Sequence, residues 1–246
     1  MIAGKTVLAV VPARGGSKGI PLKNLREVAG RPLVARVGDV IREVPYIDRA
    51  VVSTDHDRIA AAAEAAGIAA PFRRPEAISG DRIGDIDVLT DALQQTERID
   101  GRTYDIIVML QPTSPLRRAA DVNAAIEKLV SEKLDAVWTV SETDSKGHPL
   151  KQLTVDSNRL QLYDPLGNAI IARQQLTPIY HRNGVAYAMT RDCLMRQKTL
   201  MGEKTAALIV TTHQISIDTE WDIALAEFVL SWQGAAQSAC SGKKTA

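Results

Sequence analysis

Aromatic side chains are scarce in this chain, at 4% of 246 residues. That scarcity argues against a binder of single-stranded nucleic acid, where successive bases stack on aromatic rings. Cysteine is nearly missing as well. Cys193 and Cys240 make neither a disulfide framework nor a C-x-x-C metal pair, and a reducing cytoplasm is the expected compartment. No sign of charge dominates: 30 Lys plus Arg stand against 29 Asp plus Glu, so no global field draws the chain to nucleic acid or to an anionic membrane. No apolar run approaches the roughly 18 residues of a membrane span. The first residues carry one lysine and reach a charged loop by Arg14, which predicts no secretory leader. His56, His148, His181 and His213 are isolated from one another, and nothing forms a convincing catalytic triad.

What the chain does have is an alternation of elements. Apolar Thr6–Val11 reads as a buried strand. A helix is expected from about Pro32 to Glu43, with Leu33, Val34, Val37 and Ile41 at helical spacing. Arg49–Thr54 is a second strand, Asp57–Ala66 a helix stopped by Gly67, and Asp85–Arg98 another helix. Asp105–Leu110 is a third strand, 119–130 a helix and Asp135–Val140 a fourth strand. This rhythm predicts a mostly parallel sheet covered on both faces, which together with the loop and the resemblance described below is read as a three-layer α/β/α (Rossmann-like) nucleotide-binding fold. It breaks after Ser141. From there to Asn183 the pattern is weak and punctuated by Pro149, Pro165 and Pro178, which predicts an excursion of short antiparallel strands and loops. Gly184–Met189 and Ala207–Val210 are expected as strands near the main sheet. The resulting division is a catalytic domain over 1–141 and 184–234, an excursion over 142–183 and a flexible tail over 235–246.

The first strand empties into Pro12-Ala13-Arg14-Gly15-Gly16-Ser17-Lys18-Gly19-Ile20-Pro21-Leu22-Lys23-Asn24. Three glycines let backbone approach an anion, exposed N–H groups form a nest, and Arg14, Lys18 and Lys23 neutralise charge. The loop reads as a nucleoside triphosphate site. It is not a P-loop, because Ser precedes Lys, and its glycine spacing does not fit the dinucleotide fingerprint.

This loop resembles the N-terminal signature of the acylneuraminate cytidylyltransferases, the CMP-sialic acid synthetase family. Four later blocks support the resemblance in order: Ser53-Thr54-Asp55 with Arg73-Arg74-Pro75, Leu110-Gln111-Pro112-Thr113-Ser114-Pro115-Leu116-Arg117, Arg173-Gln174-Gln175-Leu176 leading to Arg182-Asn183-Gly184-Val185-Ala186-Tyr187, and Ile217-Asp218-Thr219-Glu220. It implies attack of the anomeric hydroxyl of an acidic nine-carbon sugar on the α-phosphorus of CTP, with pyrophosphate leaving. Such a displacement rests on positioning and charge neutralisation rather than on a protein nucleophile.

The resemblance implies nucleotide contacts from Arg14, Ser17, Lys18, Lys23, Asn24 and Arg74, with Lys18, Lys23 and Asp218 catalytic. It implies sugar contacts from Gln111, Thr113, Ser114, Lys151 and Arg173, an arginine fork being suited to a carboxylate. Asp218 is the expected ligand for Mg²⁺. The excursion would form a dimerisation element reaching toward a partner's active site, so a homodimer is expected, with no nucleic-acid or membrane partner. Two residues depart from the family pattern: Ser216 replaces the first acid of Asp-x-Asp, and Asp85 stands where many relatives have serine, either supplementing the metal site or facing solvent. Asp55 reads equally as a helix cap or a ligand contact, and Asn183 and Tyr187 as structural or functional. Two alternatives to sialic-acid activation are a Kdo cytidylyltransferase, against which Lys18-Gly19-Ile20-Pro21-Leu22-Lys23-Asn24 argues, and a catalytically weak nucleotide-binding relative.

Overall fold

The computed structural model describes residues 1–241, with side chains up to Gln233. Val7–Pro12 forms β1, buried along nearly its whole length. A short hairpin follows, β2 (Glu27–Val28) and β3 (Arg31–Pro32), which no sequence pattern announced. Helix α1 (Leu33–Ile41) starts directly after Pro32 and turns Leu33, Val34, Ala35 and Val37 inward. Strand β4 (Arg49–Ser53) leads to α2 (Asp57–Ala65), which ends where Gly67 takes a left-handed φ of +84°. Then come α3 (Asp85–Asp100), β5 (Ile106–Met109), α4 (Ala119–Ser131) and β6 (Ala136–Glu142). The excursion carries a hairpin, β7 (Leu153–Asp156) with β8 (Arg159–Leu162). The chain closes with β9 (Tyr180–Thr190), α5 (Arg191–Met195), β10 (Thr205–Ile209) and α6 (Glu220–Ser241).

Six strands make the main sheet in the order β10-β6-β9-β5-β1-β4. β1 runs parallel to β4 and β5, β10 runs parallel to β6, and β9 alone is antiparallel, wedged between β5 and β6. The period-two rule sorts β1 between two cores. Val7, Ala9 and Val11 face α1, α2 and α4, while Leu8 and Val10 face α3 and α5. Both faces are covered, as a largely parallel sheet demands. A third, smaller cluster joins Ile20, Val28 and Leu33 to Ile217, Ile223 and Ala226, clamping the glycine loop and the hairpin to the start of α6.

Expected and observed boundaries agree within two residues for the elements up to β6. At the base of the expected excursion, Ser141 and Glu142 pair with His181 and Tyr180 as sheet residues. The strand expected at Gly184–Met189 runs from Tyr180 to Thr190 and sits inside the sheet rather than near it. Residues 235–241 of the expected tail continue α6, and 242–246 lie outside the described residues.

Gly38 lets α1 approach the end of α2: a Cβ there would collide with the Ala66 carbonyl oxygen and come within 2.8 Å of the Ala66 Cβ. Gly38→Ala is therefore expected to force the helices apart at a cost of about 1–3 kcal/mol, typical of overpacking. A lowered urea midpoint with an unchanged slope is the predicted readout.

Candidate active site

The carboxyl ends of β1 and β5 open into one cavity of about 470 Å³, the position where open α/β sheets place ligands. The glycine loop forms its floor. Buried Asn24 donates from Nδ2 to the Arg14 carbonyl (2.9 Å), closing the loop on itself. The Gly15 N–H donates to Asp55 Oδ1 at 2.7 Å. Asp55 thus anchors the loop, and the cap of α2 is supplied by His56, whose ring nitrogen accepts from the Arg58 N–H.

Charge at the glycine loop is paired. Arg14 Nη1 and Lys18 Nζ each lie 2.6 Å from a different oxygen of Asp81. The two cations hold the Asp81 carboxyl below the usual carboxylate range, Lys18 contributing most. Lys23 Nζ donates to Asp218 Oδ1 (2.8 Å) and to the Ile217 carbonyl (2.7 Å). Asp218 reaches Lys23 from 195 residues away because Ile217 is buried and its N–H donates to the Thr113 carbonyl at 2.9 Å. Gly19 packs directly against this segment: a Cβ would lie 2.6 Å from the Asp218 carbonyl oxygen.

On the β4 side, Arg74 is buried and locked to Ser53, with Nε 3.0 Å from Oγ and Nη2 2.5 Å from the carbonyl. Burial lowers its pKa from the ordinary guanidinium value. Asp85, at the first turn of α3, lines the same cavity, and burial raises its pKa.

Of the residues expected to bind ligand, Arg14, Ser17, Lys18, Lys23, Asn24, Arg74, Gln111, Thr113 and Asp218 all line this cavity. Ser114 does not; its buried hydroxyl donates to the Asn183 carbonyl (2.8 Å). Lys151 and Arg173 lie exposed on the excursion, outside the lining of the cavity in this single chain. Ser216 is exposed beside Ile217. Asn183 and Tyr187 spend their polar groups inside the protein: Asn183 Oδ1 accepts from the Thr139 hydroxyl (2.7 Å), and the Tyr187 oxygen accepts from the Gly184 N–H (2.9 Å). Among the described residues no group of three or more His, Cys, Asp or Glu is placed to hold a metal ion. Asp218 offers the more exposed of the two carboxylates paired with lysines in the cleft, at 71% side-chain exposure against 35% for Asp81.

Two residues escaped the sequence reading. Asp81 sits in Ser79-Gly80-Asp81, whose small-residue turn was the only hint. Arg117 was visible within its block but carried no assigned role. Fully buried, it donates to the carbonyls of Gln111 (2.5 Å), Gly184 (2.9 Å) and Val185 (2.5 Å), with no carboxylate beside it. Burial pushes its pKa down to about 9, still protonated at neutral pH.

The sequence matches the family model described as Cytidylyltransferase over residues 8–235. It is 32% identical to the CMP-N,N'-diacetyllegionaminic acid synthase of Legionella pneumophila, across 90% of this chain and 94% of that protein. It is 31% identical to the N-acylneuraminate cytidylyltransferase of Streptococcus agalactiae across 87% of this chain, spanning about half (51%) of that longer protein. The pseudaminic acid cytidylyltransferase of Campylobacter jejuni is 25% identical over 90% of this chain and 95% of its own length. Among solved structures, CMP:2-keto-3-deoxy-manno-octonic acid synthetase complexed with CTP aligns with a TM-score of 0.70 at 18% identity, covering 93% of this chain and 99% of that one. At that identity the likeness establishes the fold.

Arg117→Met would strand three buried carbonyls, each costing about 1–3 kcal/mol when unpaired. A strongly lowered melting temperature is expected. Asp81→Asn would release Arg14 and Lys18 from their carboxylate, so nucleoside triphosphate should bind several-fold more tightly, measured by calorimetric titration at fixed salt.

Proposed function

The chain belongs to the cytidylyltransferase family, and on that premise we propose that it transfers the cytidylyl group of CTP to a sialic-acid-like nonulosonic acid. The observation that carries this reading is the cleft itself. It gathers Arg14, Lys18 and Lys23 on a glycine loop, places Gln111 and Thr113 alongside, and draws in Asp218 from a distant part of the chain. Relatives named for legionaminic, N-acylneuraminic and pseudaminic acids support an acidic nonulosonic sugar over Kdo.

In the reaction, a sugar hydroxyl oxygen forms a bond to the α-phosphorus of CTP and the bond to the bridging oxygen of pyrophosphate breaks. The hydroxyl proton leaves to solvent. The chain contributes position and charge. Arg14 and Lys18 exchange Asp81 for phosphate oxygens, and Lys23 stabilises charge that accumulates on departing pyrophosphate. Asn24 and Asp55 keep the loop in shape through its backbone. Arg74 belongs to the nucleotide side, and Gln111 and Thr113 to the sugar side.

Mg²⁺ suits this donor set, since it commonly takes one or two carboxylates together with substrate phosphates, and Asp218 is an exposed carboxylate at the phosphate end. Bound there, the ion would supply further neutralisation of phosphate charge. Lys151 and Arg173 meet the sugar only if the excursion reaches another copy's cleft, which favours a homodimer. Exposed Leu153, Val155, Leu160, Leu166 and Ile171 on that excursion support a partner surface there. No described helix is long and apolar enough to cross a membrane, and a cytoplasmic enzyme is the reading that fits the unpaired, buried thiol of Cys193.

Pyrophosphate release, measured with Mg²⁺, each nucleoside triphosphate in turn and a panel of nonulosonic acids and Kdo, tests the proposal. Release is expected with CTP and a nonulosonic acid. Release with Kdo alone, or with a different nucleotide, would overturn it. Asp218→Ala should abolish turnover at an unchanged melting temperature, and full activity in that variant would remove Asp218 from the metal site.

A further inference from the structure

Two of the three carboxylates that line the cleft already have partners, as does Asp55 behind the glycine loop. Asp81 holds Arg14 and Lys18, Asp218 holds Lys23, and Asp55 accepts from the Gly15 N–H. Asp85 is the exception. It opens α3 after Gly84, lines the cavity, and makes no hydrogen bond or ion pair with any described residue. Arg74 and Arg182 are the cations that act on it, and both do so only at a distance. Its surroundings within the cavity include apolar Ile78, Ile83 and Val88. Its carboxyl is half-buried in the cavity wall, with no donor from the protein, and burial raises its pKa. A ligand that displaces water from this wall has to bring an N–H or O–H donor to it.

A triphosphate cannot be that ligand group, because it carries the same charge and has its own cationic end in the cleft. Arg74 lines the same cavity, its Nε and Nη2 committed to Ser53 while Nη1 has no partner among the described residues. An acceptor from Asp85 and a donor from Arg74 thus share a part of the cavity with apolar side chains. That combination matches the edge of cytosine, which presents an amine donor at N4 and carbonyl and ring-nitrogen acceptors at O2 and N3. Uracil presents a carbonyl at position 4, which would set acceptor against acceptor.

We propose that Asp85 is the nucleobase-selecting residue, its carboxyl oxygen accepting a hydrogen bond from the exocyclic amine of cytosine. The proposal rests on the reading of CTP as substrate and adds the side chain that discriminates CTP from UTP. It also takes Asp85 out of the metal site, where its acidity alone would have placed it.

The test is a calorimetric titration of CTP and of UTP, without sugar, into the full chain and into Asp85→Asn and Asp85→Ser, with melting temperatures recorded for each. The unmodified protein should favour CTP by about tenfold or more, equivalent to about 1.4 kcal/mol for one charge-assisted hydrogen bond. In Asp85→Asn the CTP-to-UTP ratio should fall toward one, as the amide can present its NH₂ to the uracil carbonyl. Asp85→Ser should lose CTP affinity with little change for UTP. An unchanged ratio in both variants overturns the assignment, and so does an equal loss for both nucleotides, which would hand Asp85 to the ribose or to the metal. If the unmodified protein binds UTP as well as CTP, or neither, the substrate reading itself fails, so the two failures are distinguishable.

Discussion

The arrangement depends on one crossing, where the segment ending in Asp218 lies over the glycine loop. Ile217 is fully buried against Ile20 and Leu33. Its N–H reaches the Thr113 carbonyl and its carbonyl receives Lys23. Gly19 must lack a side chain for the two backbones to meet. An apolar contact of modest size thereby brings the phosphate loop, the β5 loop and the acid at the start of α6 to one point. Asp222 secures the arrangement from below, accepting from the Asp218 and Thr219 N–H groups at 3.0 and 2.7 Å, so the carboxylate of Asp218 is presented from a fixed backbone.

The second constraint is β9. Inserting one antiparallel strand between parallel neighbours brings the Asn183-Gly184 corner beside the Gln111–Ser114 loop. Gly184 adopts φ +70° there, and a Cβ would collide with Ser114 Oγ and lie 2.7 Å from Gln111 Oε1. The buried polar atoms at this junction are satisfied by Arg117, Thr139, Ser114 and Tyr187. Fully satisfied buried networks rigidify their surroundings, and this one fixes the backbone that carries Gln111 and Thr113 without touching the cavity itself.

Electrostatically, the cleft is arranged as a set of exchangeable pairs. Arg14, Lys18 and Lys23 are neutralised by Asp81 and Asp218, so under the proposed function a polyphosphate would replace one anion by another instead of requiring bare cations to wait in a narrow site. Lys18, at 82% side-chain exposure, is held only by Asp81, whereas Lys23 is mostly buried and has two partners. The two lysines therefore differ in freedom: Lys18 can follow a ligand, and Lys23 cannot.

The amino-acid sequence alone determined the alternating elements up to β6 and marked the glycine loop as a candidate anion site, because both are local. Periodicity reports which face is buried, and glycines beside cations report an anion site within a dozen residues. It also marked Arg74, Gln111, Thr113 and Asp218 through a resemblance. Tertiary structure decided the rest. The depth of β9 in the sheet, the turning of Ser114, Asn183 and Tyr187 into the interior, the burial of Arg117 on three carbonyls and the grip of Asp81 on two cations all depend on partners tens of residues away. Asp85 shows the division most plainly. Its acidity is written in the sequence, but whether an acid caps, binds metal or awaits a donor depends on which neighbours the fold leaves unpaired, and a one-dimensional pattern does not contain those neighbours.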